Sequence, residues 1–380
     1  MVNSGKQLIL TLLIQILALG TPSFAQLAAV GEDNALYVVS TKEDSAPIVK
    51  KTDLHGQPDP TFGKDGRVAL PQLDWQQVHI AAIRATRDGH VYLLGNGVDD
   101  LEEEVEGPAE VINTHFVVRL LPHGQPDPRF GRQGVLALET TDYGSDQPQG
   151  FDIAADGSLV IAALLMEPKR DFQNSRSITI WTLREGSPLQ RSVVPWGDIS
   201  VDMQEMEVTG VRCTSSGKTL LGGVAYLAAP FRAGVFEPHP FVVSFEGNQK
   251  PVRITPPIVN AYPDIKPDGP PEFMAEIPRV TLVPVSENIL IQAEELLGEN
   301  MSLFKRLATQ TLREFTGFER ELPGRLADSL DDRSSVHVLS NGTIASTLWS
   351  SDGQTLNVVG LSPTGSVRFS SSCAGILAGL

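Results

Sequence analysis

Leu54–Leu70 reads LHGQPDPTFGKDGRVAL and Pro122–Leu138 reads PHGQPDPRFGRQGVLAL. The two stretches align without a gap at an offset of 68 residues. The chain is therefore built of copies, and internal repetition outranks other signals for fold. Fainter copies of the same glycine turn follow at Glu185-Gly186-Ser187-Pro188, Glu246-Gly247-Asn248 and Thr364-Gly365-Ser366, each behind an apolar run of strand character (SITIWTL, FVVSF, LNVVGL). A second set of turns runs in parallel. Asp33-Asn34, Asp88-Gly89, Asp156-Gly157, Ser216-Gly217, Glu287-Asn288 and Asn341-Gly342 each separate two apolar runs. Asp-Gly or Asn-Gly in that setting predicts a hairpin with a type I′ turn, in which both central residues take positive φ.

Each unit then reads strand, tight turn, strand, longer loop, strand, glycine turn, strand. Four strands fill about 60 residues, and no stretch carries a helical period. Four-stranded repeats that cannot bury both faces alone are arranged radially. The prediction is an all-β chain whose residues 26–380 form a single domain, a six-bladed β-propeller of four-stranded antiparallel blades, with seven blades as the competing count.

The segments HGQPDPTFGKDG and HGQPDPRFGRQG, each after a strand and before an apolar-DG-apolar hairpin, resemble the delta-60 repeat of bacterial extracellular and surface proteins. Asp59, Asp127, Phe62-Gly63 and Phe130-Gly131 match that pattern, while His55, His123, Pro58 and Pro126 depart from it. The resemblance implies a propeller-like fold and an exported bacterial protein. It brings no catalytic residues with it.

Export is also legible at the amino terminus. Lys6, the apolar run from Leu8 to Gly20 and small residues at Ser23 and Ala25 make residues 1–25 a signal peptide cut before Gln26. The 13-residue run is short of the roughly 20 needed to span hydrocarbon. The mature chain is thus expected in the periplasm or outside the cell, with no membrane insertion after cleavage. A formal charge of −16 argues against nucleic acid as a partner, because phosphate contacts need Lys or Arg. The two cysteines, Cys213 and Cys373, could be bonded in an oxidising compartment or buried apart as thiols.

In a four-stranded antiparallel blade the first-to-second and third-to-fourth connections share one face, and the remaining connections share the other. Here the first face carries the tight turns. Nearly every long insertion falls on the second, which makes that face the candidate site. Its blade-to-blade connections place aromatics near aspartates: Asp74-Trp75, Asp142-Tyr143, Trp196-Gly197-Asp198 and Tyr262-Pro263-Asp264. These eight residues, Asp74, Trp75, Asp142, Tyr143, Trp196, Asp198, Tyr262 and Asp264, are the candidate ligand-binding set. A ring face beside a carboxylate suits a sugar or a cationic group. The competing assignment wedges the aromatics between blades.

The seven histidines have no zinc-type spacing, and no nucleophile elbow, P-loop or dinucleotide fingerprint is present. No cofactor is expected. Calcium at Asp59, Asp65 and Asp127 is weighed against turn capping, since the second copy has Gln133 in the place of Asp65. The leading function is an exported binding or scaffold module for an unidentified protein or carbohydrate ligand, without chemistry of its own. The alternative is a secreted hydrolase or lyase that uses acids at the channel mouth.

Overall fold

In the computed structural model, residues 25–41, 45–71, 73, 75, 77–99, 112–138, 145–167, 175–195, 205–214, 216–228, 236–246, 252–253, 280–286, 289–296, 301–308, 320–321, 335–350, 354–362, 364, 366–374 and 376 are described. All regular structure among them is β, in six four-stranded sheets. The first sheet holds β1 (Ala25–Val30), β2 (Leu36–Thr41), β3 (Ile48–Thr52) and β4 (Arg67–Ala69). The second holds β5 (Gln77–Ala85), β6 (Val91–Asp99), β7 (Ile112–Leu120) and β8 (Val135–Leu138). β9 (Ser145–Ile153), β10 (Leu159–Glu167), β11 (Ser175–Leu183) and β12 (Gln190–Pro195) make the third, and β13 (Glu205–Cys213), β14 (Lys218–Ala228), β15 (Phe236–Glu246) and β16 (Val252–Arg253) the fourth. The fifth is β17 (Val280–Ser286), β18 (Ile289–Leu296), β19 (Met301–Ala308) and β20 (Arg320–Glu321). The sixth is β21 (Ser335–Val338), β22 (Ile344–Trp349), β23 (Thr355–Leu361) and β24 (Val367–Ala374).

Strand order equals chain order in every sheet, so each is an antiparallel meander. The outermost strands β16 and β20 are only two residues long. The first strands touch in succession, β1 to β5, β9, β13, β17 and β21, and β21 returns to β1. This is a propeller arrangement in which the first strands are innermost. Closure uses β1 of a complete first sheet against β21 and β22 of a complete sixth, without a shared strand.

The core lies between neighbouring sheets. Tyr37, Val49 and Phe62 of the first sheet cluster with Ile83, Leu93 and Phe116 of the second. Tyr92, Phe130 and Leu94 of the second cluster with Phe151, Leu159 and Trp181 of the third. Ala28, Leu36 and Val38 meet Trp349, Leu356 and Val358 where sixth and first sheets join. At about 25 cal/mol per Å² of apolar surface, these inter-sheet layers are the main favourable term holding the sheets together. Phe62 and Phe130, the repeated phenylalanines, are fully or nearly fully buried in two of them.

The tight turns differ from the expectation. In the five that are described, positive φ falls on one residue, namely Asn34, Gly89, Gly157, Gly217 and Gly342, and not on the residue before it, while Glu287-Asn288 lies outside the described residues. Thr86 N donates to His90 O and Gly89 N to Thr86 O, both at 2.9 Å, and the same pair of bonds recurs at Ala154, Thr214, Leu339 and Gly31. These are three-residue loops, a type I turn followed by a left-handed residue, and not two-residue I′ turns. The preceding side chain explains the difference: Asp156 accepts the Ser158 amide at 3.0 Å and Asn341 the Thr343 amide at 2.9 Å. That local bond favours right-handed backbone at the acid or amide.

Residues 1–24, the bulk of the expected leader, lie outside the described residues, and Ala25 opens β1. Among the described residues no helix is long and apolar enough to cross a membrane.

Candidate functional site

The inner strands end in a polar ring. Arg84, Asp152 and Arg212 are each one residue from the end of β5, β9 and β13, opposite Tyr92, Val160 and Leu220. Each also stands five residues before the left-handed glycine of its turn. Arg212 Nη1 donates to the Val338 carbonyl at 2.9 Å and approaches Asp152 Oδ2 at 3.4 Å, while Asp152 Oδ2 also accepts the Cys213 amide at 2.7 Å. Glu32 accepts from both the amide and the hydroxyl of Ser340, and its own amide donates to Ala85 O at 3.0 Å. Arg84 lies over the Phe151 ring, 5.7 Å from its centroid. Burial raises the Asp152 carboxyl above its ordinary value despite Arg212 and Arg84. It also lowers the Arg84 guanidinium, with Asp152 and Glu32 opposing. Every one of these contacts crosses a boundary between sheets, so the ring fastens the tight-turn end of the channel.

Farther out, a cleft of about 490 Å³ opens between the second and third sheets. Its floor combines Tyr92, Phe130, Leu136 and Leu183 with Arg119 and Asp127. Arg119 pairs with Asp127 at 2.7 Å, reaches Glu185 at 3.8 Å and lies 4.7 Å above the Phe130 ring. Phe130 meets Tyr92 edge to face at 6.0 Å. Burial alone would raise the Asp127 carboxyl, but the Arg129 amide and the Arg119 guanidinium outweigh it and hold it below the usual carboxylate range. The rim carries Asp88, which is lowered by its Thr86 hydroxyl bond against desolvation and by His90 at 3.0 Å. Across the gap Arg184 pairs with Asp156 at 2.6 Å.

The cleft has a filled counterpart one repeat earlier. Lys51 pairs with Asp59 at 3.2 Å and with Asp33 at 3.1 Å, and lies 5.6 Å from the Tyr37 ring centre, while Tyr37 meets Phe62 edge to face at 6.2 Å. Asp59 and Asp127 both accept the amide two residues on, at 2.9 Å. Asp65 and Gln133, the pair that bears on calcium, take φ of 55° and 56°. That position therefore needs a left-handed backbone, which Asp and Gln both supply here. Among the described residues no group of three or more metal-binding side chains converges.

Of the candidate ligand-binding residues only Trp75 falls in the described part. It is half-buried, stacks on Phe116 at 4.7 Å with 13° between ring planes, and covers Gly97. One ring face is thus committed to the core of the second sheet. Asp74, Asp142, Tyr143, Trp196, Asp198, Tyr262 and Asp264 lie outside the described residues. The acidic run Asp99–Glu106 also lies outside them beyond Asp99. Both cysteines are free and buried, Cys213 between the third and fourth sheets and Cys373 where the sixth meets the first. The polar ring and the cleft were missed in the sequence, although the five-residue offset of Arg84, Asp152 and Arg212 from their turn glycines is a signal that could have found the ring.

Comparison with solved structures gives a likeness over nearly the whole chain. A protein of unknown function from Dyadobacter fermentans DSM 18053 superposes with a TM-score of 0.50 at 11% identity, over 92% of this chain and 94% of that one. The likeness is one of fold. A puromycin hydrolase S511A mutant matches at TM-score 0.46 and 13% identity, over 91% of this chain but 44% of that one. A subtype N11 neuraminidase-like protein of A/flat-faced bat/Peru/033/2010 (H18N11) matches at 0.45 and 11%, over 92% and 84%. No family model matches the sequence. No curated protein matches it either.

Proposed function

We propose that the chain is an exported, six-bladed propeller that works as a binding module, with its ligand held in the cleft between the second and third sheets. One observation carries this reading. The cleft is a space of about 490 Å³ whose floor joins aromatic and aliphatic surface to a paired cation and carboxylate. Concave, mostly apolar sites with a few fixed polar groups are where ligands bind. The resemblance to delta-60 repeats supports export, and so does the apolar stretch with small residues behind it. Trp75, half-buried on the connection between β4 and β5, supports a second ligand position on the long-loop face, where a sugar ring would stack.

The test is thermal melting with calcium, neutral oligosaccharides and peptides in turn, because a ligand specific to the folded state raises the midpoint as RT ln(1 + [L]/Kd). A ligand whose shift disappears in Ser187→Trp, which fills the cleft from an exposed position, supports the reading. Shifts lost only in Trp75→Ala would move the site to the other face. Export is checked by the mass of the mature chain, which should lack residues 1–25.

A further inference from the structure

The groove beside the repeated Phe-Gly is filled at one sheet boundary and open at the next. Between the first and second sheets, the Gly63 amide donates to the His123 carbonyl at 2.9 Å, and the turn containing Gly124 seats over Val68 and Phe62. Gly124 is buried there at φ +90°, and a Cβ would collide with Val68. One repeat on, Phe130, Gly131 and Leu136 present the same parts above Arg119, Asp127 and Tyr92. The corresponding turn of the third sheet, Arg184-Glu185-Gly186-Ser187, does not seat. Gly186 is exposed, and a Cβ on it would meet nothing within 4 Å. Among the described residues the Gly131 amide has no acceptor. The connection that would carry the seated turn is also curtailed, running over 184–189 where the second sheet uses 121–134.

We propose that this open groove receives a glycine turn from a partner protein, in the pose that His123-Gly124 takes one boundary earlier. The inference rests on the cleft reading above and names its ligand class. The carbonyl of the residue before the partner's glycine accepts the Gly131 amide, and the glycine itself passes over Leu136 and Phe130, where a side chain would clash. An acidic residue following the turn meets Arg129, which is exposed on the rim and makes no side-chain bond among the described residues. Backbone capture of this kind takes its affinity from main-chain hydrogen bonds and its selectivity from the neighbouring pockets.

The probe is a fluorescein-labelled peptide of sequence LPHGQPDP, copied from Leu121–Pro128, with a control in which valine replaces its glycine. Fluorescence anisotropy with the full chain should show saturable binding of the first peptide and at least tenfold weaker binding of the control. Arg129→Glu and Ser187→Trp, both at exposed positions, should each weaken the first peptide at least tenfold while melting temperature and far-ultraviolet circular dichroism stay as in the parent. Equal binding of both peptides, no saturable binding, or binding that survives both variants overturns the proposal. An oligosaccharide or calcium shift that is lost in Ser187→Trp, with the peptide inert, overturns the peptide ligand and leaves the cleft standing. No ligand sensitive to Ser187→Trp removes both.

Discussion

Arg212 of the fourth sheet donates to the carbonyl of Val338 in the sixth at 2.9 Å, reaching past the fifth sheet at the tight-turn end of the channel. The same guanidinium approaches Asp152 of the third sheet at 3.4 Å, and Asp152 is only 8% exposed. The bond to Val338 thus ties two sheets that are not neighbours in the ring. Arg212→Met removes the guanidinium that approaches Asp152 at 3.4 Å, leaving Arg84 as its cationic neighbour, and removes the donor to Val338. Losing one partner of a buried pair typically costs about 3–5 kcal/mol, and urea unfolding should show a loss in that range. Combined with Asp152→Asn, a double-mutant cycle should give a coupling of at least about 1 kcal/mol. Additive losses would mean that Arg212 acts through the carbonyls alone.

The glycines at equivalent turns should differ in their tolerance of alanine. Gly124, with φ +90°, is seated against Val68 and Phe62, whereas Gly186, with φ +75°, faces open space. Both alanines incur the left-handed backbone cost of roughly 1–2 kcal/mol. Gly124→Ala must in addition push the turn off the first sheet and break the Gly63 to His123 bond, adding about 1 kcal/mol or more. Chemical denaturation of the two variants side by side measures the difference. Equal losses would mean that the turn is not held by this seat.

The periodic part of this architecture is legible because it is local. An acid or amide before a glycine, between apolar runs, is a local hairpin signal, and the tight turns named from the sequence fall between the first and second strands of their sheets. The turn type is not legible in the same way, because Asp156 and Asn341 accept the amide two residues on and stay right-handed, a choice that composition does not display. Trp75 shows a different limit. Its neighbours in sequence are polar, but the absence of a side chain at Gly97 lets the ring lie on Phe116, a contact between residues 41 positions apart. The open groove is harder still to foresee, since it depends on how the turn of one sheet rests on the next. Two neighbouring grooves with nearly the same sequence end up different because of what the third sheet lacks.

The cysteines offer a direct check on burial. Burial pushes both thiols above the ordinary cysteine value, at Cys213 with Asp152 adding to it and at Cys373 against a Ser371 bond. Thiolate is the reactive form, so neither should react with an aromatic disulfide reagent near neutral pH in the folded chain. Unfolding in guanidinium should release both thiols. No release on unfolding would mean that the two are bonded, which would require the sheets to lie differently from the arrangement described.

His115 should make the protein sensitive to mild acid. The ring is 1% exposed, on β7 beside Trp181, and among the described residues neither nitrogen has a hydrogen-bond partner. Burial lowers its pKa to about 4 from an ordinary 6.5. Below 6.5 the unfolded chain takes up a proton that the folded chain refuses, so stability falls as the pH drops from 6.5 toward 4, by at most about 1.4 kcal/mol per unit. His79 is also lowered by burial and acts in the same direction, while the raised Asp152 carboxyl acts in the opposite one. The lowered carboxylates Asp59, Asp88, Asp127 and Asp156 lose their contribution only below their ordinary 3.8. Subtracting His115→Leu from the parent cancels every term but one. Urea midpoints of the two proteins measured from pH 7 to pH 4 should diverge below about pH 6.5, with the variant losing less. Parallel curves over that interval would mean that His115 is protonated in the folded state and has found an acceptor.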